Sequence, residues 1–128
     1  MAEIVEIHDT NEFLPTLQAI GKDQENVIVI LTGTVDSTTG KNWCPDCEQA
    51  KPNINKHVLA NAHGKVLMAI VKRSEWSGRA DHPYKQCALL KAKGVPTILL
   101  IVGGEVVMRA EKDEDFENIE LLKAFTEQ

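Results

Sequence analysis

The stretch Asn42-Trp43-Cys44-Pro45-Asp46-Cys47-Glu48 decides how this chain is read. Two cysteines stand three positions apart, and a proline directly follows the first. Proline suits the opening turn of a helix, because the N–H it lacks would have no partner there. Cys44 is therefore predicted at or just before a helix N-terminus, where unpaired N–H groups and the macrodipole favour an anion. A thiolate is such an anion, and CxxC cysteines so placed have pKa values lowered to about 3.5–7.5 from about 8.5. The spacing also puts both sulfurs on one helical turn, close enough to close a Cys44–Cys47 disulfide. It lets Cys47 attack a mixed disulfide formed on Cys44, which is the course of thiol–disulfide exchange. Cys44 is then expected to be the exposed nucleophile and Cys47 the shielded, resolving thiol.

The neighbours of the pair modulate it. Asp46 complements the helix dipole, yet its charge disfavours a second anion beside it. Trp43 can cover the site and offer an apolar contact to a substrate, or pin the loop to the core, and a tryptophan often does both. Zinc is the competing chemistry, but it usually needs four ligands. With no second CxxC in the chain, Cys87, His57, His63 or His82 would have to converge on the pair, so no metal site is expected. Cys87 reads as a core residue of a helix, and His57 and His63 as surface residues at a helix end.

Outward from the motif, the chain reads as alternating elements. Upstream lie a short strand from Ile4 to Ile7 and an amphipathic helix with Phe13, Leu14, Leu17 and Ile20. Asp9 and Glu12 have capping-box spacing before that helix, which is expected to end near Gly21. Val27-Ile28-Val29-Ile30-Leu31 is a β-branched run of the kind buried on both faces of a parallel sheet. A polar loop, residues 32–41, then delivers the chain to Trp43. Downstream, Cys47, Ala50, Ile54 and Val58 line one side of the helix that Pro45 opens, and Lys65 to Val71 form the next strand. A polar loop through Pro83, holding Trp76, leads to a short helix with Tyr84, Cys87, Ala88 and Leu90, closed by Gly94. Two strands flanking Gly103-Gly104 make a hairpin. A last helix carries Phe116, Ile119, Leu122 and Phe125. The order β-α-β-α-β-α-β-β-α predicts an α/β fold, a central mixed sheet with helices on both faces, in one domain spanning 1–128.

Bulk properties narrow the partners. Lys and Arg number 14 against 19 Asp and Glu, a net charge of −5. That balance repels phosphate backbones and anionic membranes, so neither nucleic acid nor a membrane is expected as partner. The N-terminal stretch has no cationic, apolar leader pattern. With three cysteines this fits a reducing compartment, and a cytoplasmic monomer is expected.

Val95-Pro96-Thr97 supplies a second signature. A proline at the head of a buried strand asks for a reason, and a cis bond in a tight turn is a common one. Strand-Trp-Cys-x-x-Cys-helix followed by Val-Pro-Thr-strand-Gly-Gly-strand-helix resembles the thioredoxin superfamily over nearly the whole chain. The loop "TGTVDSTTGKN" before "WCPDC" resembles the 14-kDa thioredoxin-related proteins within it, and the chain's 14.2 kDa agrees. Pro52 matches the proline that kinks the active-site helix of many thioredoxins.

The resemblance implies a cytosolic disulfide reductase with no bound cofactor, drawing electrons from NADPH through thioredoxin reductase. Its substrates would be small disulfides such as cystine and selected protein disulfides. Cys44 maps to the nucleophile, Cys47 to the resolving cysteine and Pro96 to the cis-proline. The backbone of Val95 would pair with an extended substrate, with Trp43, Pro45 and Asp46 beside it. Two departures stand out. Thioredoxin buries an acid beneath its second cysteine, whereas Val27–Leu31 holds none, and the intervening pair is Pro-Asp rather than Gly-Pro. Residues 73–85, which include Trp76, also differ from the expected pattern; Trp76 reads as a loop anchor. The alternatives are a redox-dependent binding or signalling module and a glutathione-linked, glutaredoxin-like reductase. The latter needs a cationic groove, for which only Lys41 is at hand.

Overall fold

The computed structural model describes residues 2–127. Strands β1 (Glu3–Ile7), β2 (Asn26–Gly33), β3 (Lys65–Val71), β4 (Thr97–Val102) and β5 (Glu105–Ala110) form one sheet in the order β1-β3-β2-β4-β5. β1 and β2 run parallel to β3, β4 runs antiparallel to β2, and β5 antiparallel to β4. The expected mixed sheet is present. Among the described residues no helix is long and apolar enough to cross a membrane.

β2 lies at the centre and divides the core by strand alternation. Val27, Val29 and Leu31 join one cluster with Leu67, Ala69, Val71, Leu99 and Ile101. Ile28 and Ile30 face the other way, towards Val66, Ile98, Leu100, Phe116, Leu122 and Phe125. Helix α1 (Phe13–Asp23) covers the first face with Phe13, Leu17 and Ile20 at helical spacing. Helices α2 (Pro45–Ile54) and α5 (Ile119–Ala124) cover the second. Each fully buried Val, Leu or Ile contributes about 1.5–3 kcal/mol of transfer free energy. That makes this double-sided strand the most heavily committed part of the chain.

Several boundaries differ from the sequence reading. α1 runs past Gly21 to Asp23, and a side chain ends it: Gln24 Nε2 donates to the Asn26 and Lys65 carbonyls, while Oε1 accepts the Lys65 N–H. Asp9 caps a short 3₁₀ turn, Thr10–Glu12, that precedes the helix. α2 continues beyond Ile54 as a wide π-turn, Asn55–Leu59, in which the Ala60 N–H donates to the Asn55 carbonyl. Cys47, Ala50, Ile54 and Val58 are all buried, as their spacing predicts. His57 is buried in that turn rather than on the surface, whereas His63 is exposed.

The segment between β3 and β4 departs furthest. It holds two single turns, α3 (Arg73–Trp76) and α4 (Pro83–Gln86), in place of one helix reaching Leu90. Cys87 is extended, and Lys91 takes a left-handed φ of 47°. Unwinding there drops Leu90 fully into the core, and Arg109 on β5 holds its carbonyl. Cys87 is half-buried against that core and lies outside any helix. Trp76 is the expected anchor: it is buried, edge-on to His82, with Lys85 Nζ 4.4 Å above its ring. The final helix is likewise split. Phe116 lies in a 3₁₀ turn, Asp113–Glu117, and Asn118 caps α5 through the Leu121 N–H, leaving Ile119 exposed.

Two consequences are measurable. β2 ends on Gly33, where a Cβ would lie 2.5 Å from Asn42 Oδ1 and 2.7 Å from the Trp43 indole. Gly33→Ala should therefore cost about 1–3 kcal/mol by overpacking and shift Trp43 emission. Unchanged urea midpoint and spectrum would refute this. His82 is buried and its Nδ1 accepts the Tyr84 N–H, a bond only the unprotonated ring can make. Its pKa is lowered by burial first and then by Lys85. The unfolded chain thus binds the extra proton more readily, so stability is full above the unfolded value of about 6.5 and falls as pH drops through it. His82→Asn keeps a capping acceptor without the titration. Its urea midpoint should fall less than the wild type's between pH 7.5 and 5.5; equal falls would count against the assignment.

Candidate active site

The end of β2 builds the site through three successive contacts. Gly33 leaves room for Asn42 and Trp43 to pack against the strand. Asn42 Nδ2 donates to the Gly33 carbonyl at 2.8 Å, and its Oδ1 accepts the Cys44 N–H at 3.0 Å. The Asn42 N–H in turn donates to Glu48 Oε2 at 3.0 Å, tying the loop to the first turn of α2. Trp43 Nε1 donates to the Val71 carbonyl at 3.0 Å and its ring packs on the core. Between the two readings of Trp43, pinning the loop is the one these contacts describe.

Cys44 is the N-cap of α2, extended at φ −93° and ψ 110°, with Pro45 opening the helix as predicted. Its Sγ accepts the Cys47 N–H at 3.2 Å, which is the helix-terminus donor that the sequence anticipates. The thiol also donates to the Val95 carbonyl at 3.4 Å. The Val95–Pro96 peptide is cis, so the second signature meets the first across the fold. Pro96 is buried and Val95 half-buried, while Thr97 Oγ1 donates to the Gly94 carbonyl at 2.7 Å and braces the turn.

One expectation is corrected. Cys44 is not exposed: at 5% it is as buried as Cys47 at 4%. The reason is the Val95 turn, which lies against the sulfur that the helix end would otherwise present to solvent. Pro45 and Asp46 carry the exposed surface of the motif instead. Cys44 and Cys47 are both free thiols here, as is Cys87.

Cys47 is electrostatically distinct. Burial pushes its pKa up to about 12, and a hydrogen bond with Cys44 adds to the rise. Contacts with the Gly33 backbone and the Thr32 side chain pull the other way. These are the groups under the second sulfur, and no acid is among them. Sequence reasoning missed Thr32, Gly33 and Asn42. The signals available were a glycine closing a β-branched strand and an asparagine two residues before a cysteine. Among the described residues no group of three or more His, Cys, Asp or Glu side chains is placed to hold a metal ion.

Known proteins align with this arrangement. Residues 6–128 match the family model described as "Thioredoxin domain-containing protein 17-like, thioredoxin domain". The chain is 30% identical over 116 residues to the thioredoxin-like protein Clot of Oryza sativa subsp. japonica, covering 84% of this chain and 83% of that one. It is 30% identical over 100 residues to the thioredoxin domain-containing protein 17 of Epinephelus coioides, with 76% of each covered. A protein named acireductone dioxygenase in Leishmania braziliensis is 34% identical over 92 residues, 66% of this chain. The matched residues make up only 26% of that protein's length. Among solved structures, oxidised thioredoxin O2 from Arabidopsis thaliana superposes with a TM-score of 0.59 at 16% identity, covering 98% of this chain and 92% of that one. This likeness shows the fold. The chain belongs to the thioredoxin domain-containing protein 17-like family, with its CxxC pair at Cys44 and Cys47.

Proposed function

We propose that the chain is a disulfide reductase in which Cys44 is the nucleophile and Cys47 the resolving thiol. The observation that carries this reading is the placement of the Cys44 sulfur. It receives a helix N–H at 3.2 Å and faces the carbonyl before the cis proline at 3.4 Å, with a second thiol one turn along. The Cys44 thiolate attacks a substrate sulfur, the substrate disulfide breaks, and one substrate thiolate leaves. Cys47 then attacks the Cys44 sulfur, the second substrate thiolate leaves, and a Cys44–Cys47 disulfide remains.

The dithiol carries both electrons, so the reading needs no bound cofactor. Thioredoxin reductase would reset the disulfide with electrons from NADPH. Cystine and other small disulfides, with selected protein disulfides, are the proposed substrates, in the cytosol and with the protein as a monomer. Val95 would pair with the backbone of an extended substrate, and Trp43, Pro45 and Asp46 would flank it.

The test is NADPH oxidation coupled through thioredoxin reductase, with cystine and insulin offered separately. Cystine should be turned over and insulin reduced weakly. Absence of NADPH consumption with both substrates would remove the reading while leaving the fold intact. Cys44→Ser should bring turnover to background. Cys47→Ser should behave differently, stopping after one event with substrate held as a mixed disulfide on Cys44, detectable as an added mass that dithiothreitol removes. Continued turnover by Cys47→Ser would deny Cys47 its role.

A further inference from the structure

Cys47 poses a problem that the exchange chemistry leaves open. To attack the mixed disulfide it must lose a proton, and its place between α2 and the sheet holds the thiol in its neutral form. Burial, the largest cause of the raised pKa, persists once Cys44 is tied up in the mixed disulfide, so only a small fraction of Cys47 is ionised at neutral pH. A positioned acceptor for that proton is therefore worth a large factor in rate. Generic general-base catalysis supplies about 10²–10⁴-fold.

The groups on Cys47's own helix do not serve. Cys44 is the electrophile at that stage, and Asp46 is exposed on the opposite side of the first turn, in a hollow with Gln49, Asn53 and Asp113. Glu48 Oε2 already accepts the Asn42 N–H. The inward positions of β2 and β3 nearby are Thr32, Ile30, Met68 and Ile70, none of which titrates.

One side of Cys47 is nevertheless open. A cavity of about 380 Å³ lies between α2 and the sheet, and its walls include Cys47, Thr32, Lys51, Met68, Glu6 and His8. Strand register explains why the last two reach it. Glu6 pairs with Met68, and Met68 with Ile30, so all three project from the same face of the sheet. His8 lies two residues on from Glu6 and so on that face as well. This is the face that Ile28, Ile30 and Val66 make apolar nearer the centre of the sheet, with Glu6 and His8 as acidic and basic side chains at its edge. Their side chains approach to 3.8 Å and are 56% and 59% exposed, so the pair stands at the mouth of the cavity in contact with solvent. A space this large admits water, which needs only about 10–15 Å³ per molecule and polar partners such as the Thr32 hydroxyl and Lys51 ammonium.

We propose that the Glu6–His8 pair accepts, through water in this cavity, the proton that Cys47 releases when it resolves the mixed disulfide. The Cys47 S–H bond breaks and its proton passes along water to the pair. The sulfur's electron pair forms the bond to Cys44, the Cys44–substrate bond breaks, and the substrate thiolate leaves with that bond's electrons. The pair then returns its proton to bulk solvent. No further reactant is required. The proposal rests on the reductase reading and assigns its missing base.

A chromogenic aryl disulfide, dithiobis(nitrobenzoate), separates the two steps in a stopped-flow experiment. The first thiolate is released by Cys44 at a rate proportional to reagent; the second is released by Cys47 at a rate independent of it. In Glu6→Gln/His8→Asn the first phase and the thermal midpoint should stay at wild-type values. The second phase should slow about tenfold or more at pH 7 and rise nearly tenfold per pH unit, as when hydroxide alone removes the proton. Added imidazole should accelerate that phase in the double variant in proportion to its concentration, a rescue that a merely structural defect would not show. A second phase unchanged in rate and pH dependence overturns the proposal, as does slowing that imidazole leaves untouched. Absence of the first phase in the wild type would instead overturn the reductase reading and the proposal with it.

Discussion

β2 is buried on both faces and hydrogen-bonded on both edges, so its position is fixed by every other layer of the molecule. Its C-terminal end inherits that rigidity. Thr32 and Gly33 lie at the point where the strand stops being wrapped, and the active loop is fastened there. Asn42 and Trp43 clasp the ends of β2 and β3, and Cys44 follows with almost no freedom of its own. A site of this kind depends on keeping two sulfurs and one carbonyl in register. The loop that carries them is long and polar, but it closes against the least deformable strand in the fold.

Much of this order is legible in the chain itself. Val27–Leu31 announces a strand buried on both faces, because only such a strand can use five consecutive apolar, mostly β-branched residues. Cys44-Pro45 announces a helix start because proline and an N-capping atom answer the same unpaired donors. The failures share a cause too. Gly21 looks like a helix end, yet Gln24 ends α1 by bonding β2 and β3, partners that only the folded chain brings near. The helix expected through Leu90 is unwound because Arg109, nineteen residues on, holds the Leu90 carbonyl. His57 is buried because it lies in the π-turn, whose wider bond runs from the Ala60 N–H to the Asn55 carbonyl. Local pattern set these elements; remote hydrogen bonds set where they stop.

The site divides the same way. Both cysteines, the helix N-terminus and the cis proline were readable from spacing and resemblance. Exposure was not, because the carbonyl that covers Cys44 arrives from fifty-one residues downstream. Glu6 and His8 are harder still to see. In the sequence they are polar residues near the end of a short edge strand, which is where polar residues are ordinary. Only the parallel register with β3 turns them towards α2 and the cavity behind Cys47.

The contact between the Cys44 thiol and the Val95 carbonyl has a consequence for recognition. On the proposed reading, that carbonyl is where a substrate backbone N–H would dock, and the resting protein fills the place with its own nucleophile. The reduced protein is in this sense its own first ligand. A substrate must displace a bond the protein already makes, and its apparent affinity is lowered by the fraction of molecules in which that bond is closed. Disulfides with an N–H able to reach the carbonyl from beside the sulfur, the ammonium of cystine included, recover the loss, while those without one do not. Selectivity of this kind requires no pocket shaped to a side chain: it is set by an internal competitor.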